Sequence, residues 1–158
     1  MHAFFVAYCE RLQTLHRDLA AAIIDLPQEA LDWHPATGMN SLAILVVHTA
    51  AAERYWIGDV VGQESSARTR SEEFETAGLE AAELKKRLGL TLEHSLSILQ
   101  KLTLADLAAS RHSGRDGETY SVAWALAHAL EHTALHLGHV QIGRELWLLE
   151  NGGRAKTG

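Results

Sequence analysis

The chain is poor in the residues that staple, break or anchor a fold. Its only cysteine is Cys9, so no disulfide can form within it, which suits a reducing compartment. Cys9 sits among aromatic residues with no basic side chain before Arg11, the setting of a small buried apolar group rather than a nucleophile. Proline occurs only at Pro27 and Pro35, so little interrupts a helix. The longest apolar run, Leu42 to Val47, is too short to cross a bilayer, and no basic region leads into an apolar segment near the start. Neither membrane insertion nor a signal peptide is expected. Positive charge is scarce as well: Lys and Arg number 14 against 20 Asp and Glu, a formal charge of −6. The one basic run, Lys85-Lys86-Arg87, is flanked by Glu80 and Glu83 and reads as a solvated helix surface, so no nucleic-acid partner is expected. The expectation is a soluble, cytoplasmic protein.

What the chain does contain is helical pattern. At 158 residues with 47% hydrophobic content it suits one domain with a real core. Phe4, Tyr8, Leu12, Leu15, Leu19, Ala22 and Leu26 recur by threes and fours and predict a first helix, stopped by Pro27. A second starts at the Asn40-Ser41 cap and carries Leu42, Leu45, His48, Ala52, Tyr55 and Trp56, fading near Gly62. The polar stretch 63–76 reads as an exposed crossover. A third helix holds Leu84, Leu88, Leu92, Leu96 and Leu99. After a connection over 103–118, with a short turn around Ala105–Ala109, a fourth begins near Thr119 or Ser121 and ends near Leu149, before Asn151-Gly152-Gly153. The expected fold is all-α, a four-helix bundle in one domain over residues 1–150, with 151–158 a flexible tail.

The least ordinary feature is a row of histidines. His128, His132 and His136 recur every four residues and His139 follows three later, so on a helix all four share a sector roughly 80° wide. A single inward histidine is more often a satisfied core residue than a ligand, and one i, i+4 pair is a weak motif. A row of four favours a divalent metal over a hydrogen-bonded network or a pH-sensitive surface. Periodicity leaves two pairs open, His128/His132 and His132/His136, because His128 and His136 are about 12 Å apart along the helix. One helix cannot surround an ion, and His48, on an apolar helix face, is the best external ligand. His94 lies off its leucine stripe and is expected to be exposed. His2, His16, His34 and His112 lie in polar or terminal settings that need no special account. Glu131, about 60° of arc from His128, is a candidate acceptor for a ligand N–H, with a plain surface charge as the equal alternative.

The segment Gly38 to Trp56, GMNSLAILVVHTAAAERYW, together with Glu131 to His139, EHTALHLGH, resembles the DinB-like/YfiT metalloenzyme superfamily. The resemblance implies a four-helix bundle in which His48, His132 and His136 bind one divalent metal, commonly nickel or zinc, and it favours His132/His136 over the other pair. Many members carry Gln three positions after the last ligand, where this chain has His139. The resemblance also implies a metal-dependent enzyme, foremost an S-transferase that joins a low-molecular-weight thiol such as bacillithiol or mycothiol to a small-molecule substrate. His128 and His139 are then the candidates for proton transfer. The alternatives are a metal-dependent hydrolase and a non-catalytic metal- or ligand-binding bundle. Dimers are common among similar proteins, and a homodimer could use Tyr55, Trp56, Trp124 and Trp147 as an apolar contact surface. With this ligand set, His136→Ala should lose most metal affinity, read as metal retained after dialysis, while far-UV circular dichroism stays near wild type. Undiminished retention would exclude the set.

Overall fold

A computed structural model describes residues 1–152. Helix α1 spans Ala3–Ile23, opened by the His2 ring accepting from the Phe4 N–H, and buries Phe5, Leu12 and Leu19 along one stripe. It ends earlier than the apolar pattern suggests, and Pro27 instead starts a one-turn helix α2, Gln28–Asp32, where a residue lacking an N–H is well tolerated. Helix α3 spans Leu42–Glu53, capped by Ser41 Oγ accepting from the Ile44 N–H, and continues as a wider π-type coil through Arg54–Val61. Along the wider coil Tyr55, Trp56 and Ile57 are all buried, continuing the fully buried run of α3 from Leu42 to Ala50.

A short helix α4, Arg70–Glu73, then precedes α5, Ala81–Leu99, whose start is held by reciprocal bonds between Glu80 and Glu83. A 3₁₀ turn at Leu104–Ala108 falls where a short turn is expected from sequence. The hairpin that follows, β1 Ser110–His112 paired antiparallel with β2 Thr119–Ser121, was not foreseen; three-residue strands carry too little alternation to register as a pattern. Helix α6 runs from Val122 to Gly152, past the end expected near Leu149. The rest of the tail expected over 151–158 lies outside the described residues. Among the described residues no helix is long and apolar enough to cross a membrane.

The four long helices form the bundle. Helix α3 packs on α5 and α6, and α1 packs on the same two, so α1 lies diagonal to α3 and α5 diagonal to α6. Gly143 lets α6 approach α3 closely, since a Cβ there would lie 2.8 Å from Leu42 Cδ2. Cys9 is buried as expected, and burial pushes its thiol up.

The core is divided in two. One apolar cluster gathers Leu19, Ile23, Leu42, Val46, Leu84 and Val140, the other Phe5, Leu12, Trp56, Ile57, Leu99 and Leu126. Between them lies a polar waist. His16 of α1, which sequence reasoning placed in a polar setting, is buried there with its Nε2 2.6 Å from Glu53 Oε2. Ser95 Oγ of α5 donates to Glu53 Oε1 at 2.7 Å. His16 missed detection because Arg17 and Asp18 beside it suggest a surface, whereas its own position continues the buried face of α1. Glu53 thus ties three helices across the bundle's centre. Removing it leaves a buried imidazole and hydroxyl unpaired, so Glu53→Ala should lower unfolding free energy by about 2–4 kcal/mol. Urea denaturation checks this, and Glu53→Gln, which still accepts from Ser95, should lose less.

Candidate metal centre

Beside this waist, His48 of α3 meets His132 and His136 of α6. The i, i+4 spacing stacks the α6 pair on one face, and the close α3–α6 packing brings His48 against both. Ring centroids are 5.0 Å apart for His48–His132, 5.0 Å for His48–His136 and 4.4 Å for His132–His136. One ring nitrogen from each lies within 4.8 Å of the others. Periodicity alone left two α6 pairs open; the tertiary contact selects the second.

The surroundings set the rings' orientation and charge. His48 is buried, and its Nδ1 is 2.8 Å from Glu73 Oε2, so the ring donates from Nδ1 and leaves Nε2 free toward its histidine neighbours. Glu73 is itself buried and held by Arg68, whose Nε donates to Oε1 and whose Nη2 donates to Oε2 at 2.9 Å. Burial alone would raise the Glu73 carboxyl, but the bonds from Arg68 and His48 outweigh it and hold the group below its usual value. Burial, reinforced by the neighbouring imidazoles, pushes His132 down to about 3 and His136 down to about 4. Both are therefore neutral at pH 7, the form that ligates a metal. His132 Nδ1 is buried without a hydrogen-bond partner among the described residues. Three clustered imidazoles, one oriented by a carboxylate and one with a stranded nitrogen, fit a divalent metal ion.

The flanking histidines take different places. His139 Nδ1 is 3.3 Å from His136 Nδ1, so one ring donates to the other. His128 lies 5.8 Å from His132 between centroids and stacks on Trp124 at 5.0 Å and 8°. Burial lowers its pKa. Glu131 is exposed and makes no hydrogen bond to the three clustered imidazoles, while His94 is half-buried and pairs with Glu64. The orienting carboxylate is Glu73, together with Arg68, and both come from the stretch read as an exposed crossover. Phe74, lone among polar neighbours and packed 5.2 Å from His48, was the one local sign that this stretch turns inward. Of the aromatics considered for a contact surface, Tyr55 and Trp56 are buried, Trp147 packs against Trp33, and Trp124 is 45% exposed.

Residues 11–140 match the profile of the DinB superfamily. A crystal structure described as the conserved protein of locus from Enterococcus faecalis matches with a TM-score of 0.78 at 15% identity, over 92% of this chain and 98% of that one, which shows a shared fold. No curated protein matches the sequence.

The depressed histidines make a pH prediction for the metal-free protein. The unfolded chain binds protons at these positions below about pH 6.5, where the folded cluster still resists them, so protonation favours unfolding. Stability should be fully present above that value and fall as pH drops toward about 4 and below. Urea midpoints of chelated protein across pH 7 to 4 should fall more steeply for wild type than for His132→Gln/His136→Gln. Parallel profiles would refute the linkage.

Proposed function

The chain belongs to the DinB superfamily, and from that premise we propose that it is a divalent-metal-dependent enzyme, foremost an S-transferase acting on a low-molecular-weight thiol and an electrophilic small molecule. The observation that carries the reading is the three-imidazole cluster, half-buried on its α6 side, with no fourth protein ligand in the group. Such a set leaves room for an exogenous ligand, the mark of a reactive rather than a structural centre. A bound ion would favour the thiolate form of a thiol held there.

The protein's own residues would do the rest. Glu73, clamped by Arg68, keeps His48 in one tautomer and orientation. His139 hydrogen-bonds to His136 and helps to orient its ring. His128 is unprotonated near neutrality and open to the same face through its neighbours Trp56 and Trp124. It would take the S–H proton as the thiol binds in its thiolate form, and return that proton to the leaving group as the carbon–sulfur bond forms and the bond to the leaving group breaks. Phe74 packs against His48, and Trp56 packs against His128.

The test is spectroscopic. Cobalt-loaded protein titrated with thiols should show a shifted visible spectrum and a new sulfur-to-cobalt band; no change with any cellular thiol would reject the transferase reading. Glu73→Gln should weaken metal binding by about 10- to 100-fold without removing it, since it disturbs the orientation of His48 and not the ligand set.

A further inference from the structure

Arg68 faces two ways. On one side it holds Glu73, and through Glu73 it holds His48. On the other it lines a cleft of about 430 Å³ whose walls include Tyr55, Arg70, His112 and Arg115. The Arg68 side chain is only 8% exposed, and its Nη1 is buried without an acceptor among the described residues. A guanidinium N–H stranded in this way is rare in a folded protein and marks a place where an acceptor belongs.

The charge around the cleft points the same way. Three guanidiniums line it in a protein whose formal charge is −6. The one lining carboxylate, Asp59, is already engaged, accepting from Arg54 Nη1 at 2.7 Å, from the Ser66 N–H at 3.1 Å and from Ser66 Oγ at 2.7 Å. Arg70 makes no salt bridge among the described residues and lies 4.9 Å over the Phe74 ring. Arg115 has only a 3.4 Å contact with its neighbour Asp116 and lies over the rings of Tyr55, 5.5 Å, and Trp56, 5.4 Å. A guanidinium seated on an aromatic face is held in place while its N–H edge stays free for an acceptor. Rings then run without a break to the histidine cluster: Trp56 lies 4.8 Å from His128, and His128 5.8 Å from His132.

We infer that this cleft is an anion subsite that binds the carboxylate or phosphate end of a small molecule whose other end extends toward the three histidines. Where that other end goes rests on the proposed reaction centre; the anion subsite does not. The ligand class follows: the thiol or its acceptor carries at least one carboxylate or phosphate group. Arginine suits such a group because its fork matches two oxygens at once.

Isothermal titration of metal-free protein with malonate, and separately with inorganic phosphate, in 0.15 M chloride tests the subsite directly. Wild type should bind at least one of them at one equivalent, the tighter one identifying the anchor as carboxylate or phosphate. Arg70→Ala/Arg115→Ala, two exposed positions whose loss leaves the core intact, should weaken that binding at least about tenfold. Arg17→Ala, which removes an exposed charge on α1 away from the cleft, should leave it unchanged. Binding of neither anion, or equal binding by the double variant, overturns the inference; so does an equal loss in Arg17→Ala. In a second arm, cobalt-loaded protein should prefer mercaptosuccinate to 2-mercaptoethanol, and the double variant should lose the preference. Failure to take up cobalt, with arginine-dependent anion binding intact, would reject the metal reading and leave the subsite standing.

Discussion

The buried carboxylate of Glu73 is the contact on which the site depends. It is clamped by two guanidinium nitrogens of Arg68 and turned against the Nδ1 of His48. A lone buried carboxylate would take up a proton; paired on both sides it stays ionised, so its charge is available to orient an imidazole. That one group couples α4 and its approach to α3, and hence connects the crossover to the bundle. It also makes Arg68 a shared wall, with the histidine cluster behind it and the cationic cleft in front.

The bundle supplies a rigid frame for this arrangement. Its two apolar clusters meet at a waist where His16, Glu53 and Ser95 are bonded to one another across three helices. A mismatched register between those helices would strand buried polar groups, so the waist selects one alignment among many that an apolar core alone would tolerate. The three clustered histidines lie where α3 and α6 pack against each other. Precision at the site therefore follows from the polar layer beside it and from Gly143, which allows the two helices to close.

Four helices and the residues on their inner faces were legible because each repeats its signal over many turns: α1 by its leucines, α5 by Leu84 to Leu99, α6 by its histidine row. His48 was legible for a related reason, being a polar residue on an otherwise apolar face. The crossover was misread because its inward residues, Arg68 and Glu73, are charged, and local composition assigns charge to solvent. Their pairing lies in the tertiary contact with His48. His16 was missed in the same way, its partner Glu53 being 37 residues away. Glu131, a candidate acceptor by its helical arc from His128, is the exposed surface charge of the alternative reading.

By itself the sequence determined an all-helical bundle, a single buried cysteine and a helix stripe rich in imidazole, because each is a property of spacing along one chain segment. Which two of the four stripe histidines join His48 was decided by the packing of α3 on α6. Which carboxylate orients the cluster, and which arginine faces the cleft, was decided by the fold of the crossover onto α3. These are meetings of side chains far apart in sequence. Their energies come from shared burial and charge pairing, which no periodicity within one segment encodes.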